Sequence, residues 1–184
     1  IGVPQDYKEA VKWLRLVAKK GFVNSQSLLD EVSTYTTEKF KKSVQLLRLS
    51  AEKGDAKAQK KLGRMHEKGQ GVPQDYKEAI KWYRLAAEQG DAEAQLSLGR
   101  MYAEGTGVPK DYKKAVKWFR LAAEQGDAEA QYKMGALYEG LLGGLPQDYK
   151  EAVKWWKLAA EQGHSAAQYI LGAIYKEGKI GVPQ

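Results

Sequence analysis

One short string returns along the chain. Gly-Val-Pro occurs at Gly2, Gly71, Gly107 and Gly181, with Gly-Leu-Pro at Gly144, in steps of 69, 36, 37 and 37 residues. A second column of glycines (Gly21, Gly54, Gly90, Gly126 and Gly163) is spaced by 33, 36, 36 and 37 residues. A period of this length marks a unit that cannot bury its apolar face alone and must stack on its neighbours. The opening step of 69 is one period plus a shortened, degenerate unit. In that unit Phe40 stands where the others have Tyr76, Tyr112 and Tyr149, and Asp30 replaces the glycine of Gly63, Gly99, Gly135 and Gly172.

Each unit contains two helical patterns, here named A and B. Helix B of one unit runs from about residue 75 to 89. Tyr76, Ala79, Ile80, Tyr83, Ala86 and Ala87 fall on one face, and Trp82 and Leu85 widen it, so the helix is expected to be buried on two sides. Asp75 with Glu78, Asp6 with Glu9 and Asp148 with Glu151 have capping-box spacing, which Lys114 breaks after Asp111. Gly90 and its equivalents supply the left-handed stop. Helix A of the next unit follows at once, from about 92 to 103, with Asp91 as N-cap and a core stripe of Ala94, Gln95, Leu98, Met101 and Tyr102. Gly99 inside that helix costs about 1 kcal/mol relative to alanine, so the repeated glycine implies close helix approach. Asp30 predicts looser packing or a shifted helix in the degenerate unit.

The expected fold class is therefore all-α: a right-handed α-solenoid of antiparallel helix pairs, about five repeats and ten helices. Its parts are a half repeat at 1–21, a degenerate repeat at 22–54, full repeats at 55–90, 91–126 and 127–163, and a half repeat at 164–184. Both ends fall in A-to-B loops without a polar capping unit, which predicts a portion of a longer array with end-to-end association. No run approaches the length of a membrane span, and no apolar leader stands at Ile1. With no cysteine, thiolate metal sites, disulfides and cysteine nucleophiles are excluded.

The pattern Ala-x-Ala-Gln-x-x-Leu-Gly-x-Met-Tyr-x-x-Gly-x-Gly-Val-x-x-Asp-Tyr, then Ala-x-x-Trp-Tyr/Phe-x-x-Ala-Ala-x-x-Gly, reads cleanly over residues 92–126. It resembles the Sel-one-like repeat (SLR), a relative of the tetratricopeptide repeat. The resemblance implies a scaffold or adaptor, with A helices on the concave side and B helices on the convex side. Some cysteine-rich bacterial relatives are linked to β-lactam binding, and their disulfide staples are missing here.

Little in the chain points to catalysis. His66 occupies the column of Tyr102, Tyr138 and Tyr175, and His164 the N-cap column of Asp55, Asp91 and Asp127, so both read as structural. No triad, phosphate loop or zinc spacing is present. Trp13, Trp82, Trp118 and Trp155 share a column, with Leu46 in the degenerate unit, and read as repeated core rather than a ligand ladder. The formal net charge is +7. Lys8, Lys12 and Arg15, Lys77, Lys81 and Arg84, Lys113, Lys117 and Arg120, and Lys150, Lys154 and Lys157 form a cationic ladder on the B helices. It reads as a solvated face partly neutralised by Glu88 and Glu124; binding of nucleic acid or anionic lipid is the alternative.

Framework columns are held by packing, whereas variable columns are free for recognition. On the A helices four variable columns share one face. They read Lys57, Lys60, Lys61, Arg64; Glu93, Leu96, Ser97, Arg100; Glu129, Tyr132, Lys133, Ala136; and Ala166, Tyr169, Ile170, Ala173. The expected function is non-catalytic: a scaffold without cofactor or metal, docking a protein or extended peptide through Lys57, Lys60, Lys61, Arg64, Glu93, Leu96, Ser97, Arg100, Glu129, Tyr132, Lys133 and Tyr169. Tyr132 and Tyr169 would be anchors and the cations would set orientation. A cell-wall enzyme acting on β-lactams is the remote alternative.

Overall fold

The computed structural model describes residues 7–22, 24–140 and 145–177, apart from the side chains at 7, 8, 36 and 177. The described residues form nine α-helices and no strand: α1 (Tyr7–Ala18), α2 (Ser25–Glu52), α3 (Ala56–Lys68), α4 (Tyr76–Glu88), α5 (Ala92–Glu104), α6 (Tyr112–Glu124), α7 (Ala128–Tyr138), α8 (Tyr149–Glu161) and α9 (Ser165–Glu177). The chain divides into two compact units, residues 1–49 and 50–184.

In the second unit consecutive helices from α3 to α9 pack on one another. The three-residue connection from B to A has a simple cause. At the end of α4, Gly90 adopts φ 92°, its N–H donates to the Ala87 carbonyl, and the Asp91 N–H donates to the Ala86 carbonyl. This is the Schellman pattern. The same Asp91 then accepts the Ala94 N–H at 2.9 Å, so the stop of one helix is also the cap of the next. Asp127 repeats the arrangement.

The longer A-to-B loop is closed differently from expectation. The Asp75, Asp111 and Asp148 side chains cap α4, α6 and α8. The N–H groups of these aspartates donate to the carbonyls of His66, Tyr102 and Tyr138 on the preceding A helix. Glu78 and Glu151 therefore do not complete capping boxes; they pair with Lys81 and Lys154, each at 3.3 Å. The box expected at Asp6 lies outside the described residues.

The interior joins the two helix types by three repeated contacts. Alanine columns are almost fully buried: Ala79, Ala86, Ala94, Ala115, Ala122 and Ala130 are at 0% exposure. The helical glycines receive an aromatic ring from the paired B helix. A Cβ at Gly63 would lie 2.6 Å from the Tyr83 ring, one at Gly99 2.5 Å from Phe119, and one at Gly135 would overlap Trp156. The buried glutamines form a ladder: Gln95 Nε2 donates to the Ala87 carbonyl at 3.0 Å, while its Oε1 accepts from Gln125 Nε2 at 2.8 Å. Gln59 and Gln131 make the same two contacts, with Ala51 and Gln89 and with Ala123 and Gln162. Of the expected helix-B core, Tyr76 and Leu85 are corrected to the surface, at 37% and 38% exposure.

The first unit departs from the expected ten helices. Residues 22–54 do not form an A–B pair; α2 is one helix of 28 residues. The segment where the turn should fall, residues 31–40, contains neither glycine nor proline, so nothing stops the helix. Asp30 is exposed and accepts a hydrogen bond from Gln26 at 2.9 Å.

Candidate functional site

The A helices of the second unit carry the variable face, and the structure brings its residues into a lattice of ion pairs. Lys60 Nζ on α3 lies 3.1 Å from Asp91 Oδ2 and 2.9 Å from Glu93 Oε2. Arg64 approaches Glu93 at 3.9 Å, and Arg100 on α5 reaches back to Glu67 at 2.7 Å. The hydrogen bond to Glu93 raises the Lys60 pKa above its usual value, against a partial burial that lowers it. The Lys57 to Arg64 end of the face, basic along the chain, is therefore a mixed-charge lattice. Lys57 and Lys61 are exposed there and pair with no carboxylate among the described residues.

Between α3 and α5 this lattice rims a cavity of about 790 Å³, lined by Arg64, Glu67, Tyr83, Leu96, Ser97 and Arg100 among others. Its floor is polar. The Tyr83 hydroxyl donates to Glu67 Oε2 at 2.6 Å. Burial raises the Tyr83 pKa, and the Glu67 carboxylate adds to the rise. Ser97, expected on the docking surface, is 9% exposed and belongs to this floor beside Tyr83. Leu96 is half-buried against the core. Sequence reasoning missed Glu67. Its column reads Glu67, Ala103, Glu139 and Lys176, a fifth variable column three residues beyond Arg64 and on the same face.

At the other end of the face, Tyr132 is half-buried rather than a free anchor. The His164 ring stacks on it, with centroids 4.6 Å apart and planes at 19°. His164 is the N-cap that its column implies: Nδ1 accepts the Ala167 N–H at 3.3 Å. That assigns the ring proton to Nε2, which lies 2.9 Å from Glu129 Oε2. Lys133 pairs with Glu129 at 3.1 Å. Burial raises the Glu129 pKa, but the bonds from His164 and Lys133 outweigh it and hold the carboxyl below its usual value. Tyr169 is 79% exposed. His66 is buried, as its tyrosine column implies, and neither ring nitrogen has a partner among the described residues. No group of three or more potential ligands that could hold a metal occurs among the described residues.

The B-helix cations are largely engaged with the chain itself. Lys81 and Lys117 lie over the rings of Trp82 and Trp118, and Arg84 and Arg120 donate to the hydroxyls of Tyr102 and Tyr138. The ion pairs of the ladder are formed by Glu9, Glu78 and Glu151, not by the expected Glu88 and Glu124. In the tryptophan column, Trp82 and Trp118 are buried and Trp155 packs on the core, but Trp13 is corrected to the surface at 58% exposure. Lys8 lies outside the described side chains.

Paired antiparallel helices, with a variable face on alternate helices, define a helical-repeat solenoid. The Sel1 repeat model matches residues 1–22, 35–55, 56–91, 92–127, 128–164 and 165–184, and the chain belongs to this family. Its members generally are non-catalytic scaffolds for protein–protein interaction. Among solved structures, the chain is similar to a protective antigen of uropathogenic Escherichia coli strains displaying an SLR fold, at 38% identity and TM-score 0.73. That match covers 91% of this chain but only 36% of the antigen. A Sel1 repeat protein from Oxalobacter formigenes is 40% identical over 71% of this chain and 98% of its own length, with TM-score 0.66. Cysteine rich protein B of Helicobacter pylori shares the fold, at 20% identity and TM-score 0.57 over 73% of this chain and 96% of its own. Comparison with curated proteins found no match.

Proposed function

We propose that this chain is a non-catalytic scaffold that docks another protein or an extended peptide on the face of α3, α5, α7 and α9. One observation carries the reading. The A-helix columns that vary between repeats keep some access to solvent: of the twelve docking residues seven are exposed, four are half-buried and only Ser97 is buried. The exposed cations at Lys57 and Lys61, the cavity beside Arg100, and Tyr169 would supply charge, a pocket and an apolar contact in sequence along one partner. Binding of nucleic acid or anionic lipid is less well supported, because the B-helix cations already serve tryptophan rings, tyrosine hydroxyls and neighbouring carboxylates.

The experiment compares proteins captured by the wild type, by an A-face variant (Lys61→Ala, Arg100→Ala, Tyr169→Ala) and by a B-face control (Lys77→Ala, Lys113→Ala, Lys150→Ala). Capture lost from the A-face variant and kept by the control supports the reading. Capture kept by the A-face variant and lost from the control overturns it.

A further inference from the structure

Helix α2 holds the sequence of a complete helical hairpin in one rod. Its first half carries A-type columns: Ser25, Gln26, Leu29 and Val32 stand at the positions of Ala58, Gln59, Leu62 and Met65. Its second half carries B-type columns: Phe40, Val44, Leu46 and Leu47 stand at those of Tyr76, Ile80, Trp82 and Tyr83. In α3 and α4 such halves fold back and Tyr83 covers Gly63. In α2 they cannot meet. Asp30 and Leu47 are 17 residues apart on one continuous helix, about 25 Å along its axis.

Between its buried ends, Ser25 and Ala51, the described part of α2 lies at the surface. From Gln26 to Leu49 no described residue is buried. Leu28, Tyr35, Phe40, Leu46 and Leu49 are 46–59% exposed. Helices of this kind take most of their stability from packing an amphipathic face. The charges on α2 state what would pack there. Residues 25–38 carry Asp30, Glu31 and Glu38 and no lysine or arginine; residues 39–49 carry Lys39, Lys41, Lys42 and Arg48 and no acid.

We propose that α2 pairs with α2 of a second copy of this chain, antiparallel about a two-fold axis near Glu38 and Lys39. Each A-type half then lies on the B-type half of the other copy. Asp30 and Leu47 stand nearly equidistant from that axis, so the two-fold sets the Asp30 column against the Leu47 column, the pairing that Gly63 and Tyr83 make within one hairpin. The volumes are complementary: a glycine faces an aromatic ring in the regular units, and a larger aspartate, its carboxylate accepting from Gln26 at 2.9 Å, faces a smaller leucine here. The same symmetry lays the acidic half of each helix along the basic half of the other. Loss of a turn with exchange of identical elements is a low-cost route to a dimer. The proposal does not depend on the docking reading of the A helices.

Because the chain has no cysteine, the full chain carrying Asp30→Cys and Leu47→Cys reads the geometry directly. Two results are expected: sedimentation of the wild type at twice the 20.5 kDa chain mass, and an oxidised variant that runs as a covalent dimer on a non-reducing gel. A monomer with an internal disulfide, reporting a folded-back hairpin, overturns the proposal. So does a monomer with two free thiols, or a dimer whose cysteines do not join between chains, as end-to-end stacking would give. A second variant replaces residues 36–39 with the loop sequence of residues 69–75. It is expected to sediment as a monomer at concentrations where the wild type is dimeric; an unchanged dimer counts against the proposal.

Discussion

Helices α2 and α4 carry B-type residues in the same columns, yet α4 is built into a core along its length and α2 only at its end. In α4, Ala79, Ile80, Trp82, Tyr83, Ala86 and Ala87 are buried. In α2 the equivalent positions Ser43, Val44, Leu46, Leu47 and Ser50 are at most half-buried, and only Ala51 is buried. The difference lies in what precedes them. The glycines and proline of residues 69–75 turn the chain so that α3 lies against α4; residues 31–40 provide no such turn. A B-type pattern is therefore a necessary condition for a repeat, and the reversal before it decides whether the pattern finds a partner.

The contrast can be broken most directly within the tryptophan column. Trp118→Ala is expected to cost about 3–5 kcal/mol, whereas exposed Trp13→Ala should stay within about 0.5 kcal/mol; urea denaturation of both variants measures it. Equal losses would mean that the first unit has a core of the same kind. The glutamine ladder gives the next largest effect. Gln95→Ala leaves the Ala87 carbonyl without its donor and Gln125 without its acceptor, which should cost about 1–3 kcal/mol. Gln26→Ala, at an exposed position of α2, should be near neutral by the same measurement.

Glycine substitutions should differ even in sign. At Gly99 a methyl group meets Phe119, and the net loss should be about 1–2 kcal/mol after the gain in helix propensity. At Gly172 nothing described opposes the methyl group, so Gly172→Ala should add up to about 1 kcal/mol of stability, read as a higher thermal midpoint. The smallest effect is in pH. Hydrogen bonds, first from Ser50 and from the Lys114 N–H respectively, hold Asp55 and Asp111 below their usual value of 3.8. A carboxyl lowered by folding contributes stability above its unfolded pKa and loses it as the pH falls through the folded value. The denaturation midpoint should therefore fall below about pH 4, less steeply in the Asp55→Asn, Asp111→Asn variant.

Much of the candidate face was legible because a repeat compares a chain with itself. Columns that change between units are less tightly held by packing: seven of the twelve residues chosen this way are exposed, four are half-buried and Ser97 is buried. Their charges were not legible. Lys60 and Arg64 look like a basic patch along the chain, but the acids that neutralise them, Asp91 and Glu93, come from the next unit. His164 was recognised as a cap, while its stacking on Tyr132 depends on which columns of α7 and α9 lie side by side.

The amino-acid order alone determined the helical class, the period, the caps, the glycine stops and the alanine core, because each follows from contacts within about one turn or from a column repeated several times. Tertiary structure alone decided which cation meets which acid and which face of each helix finds a partner. It also revealed that buried glutamines tie successive units together. Those outcomes depend on long side chains meeting across neighbouring helices and on whether a turn reverses the chain, and both are settled only when whole helices pack.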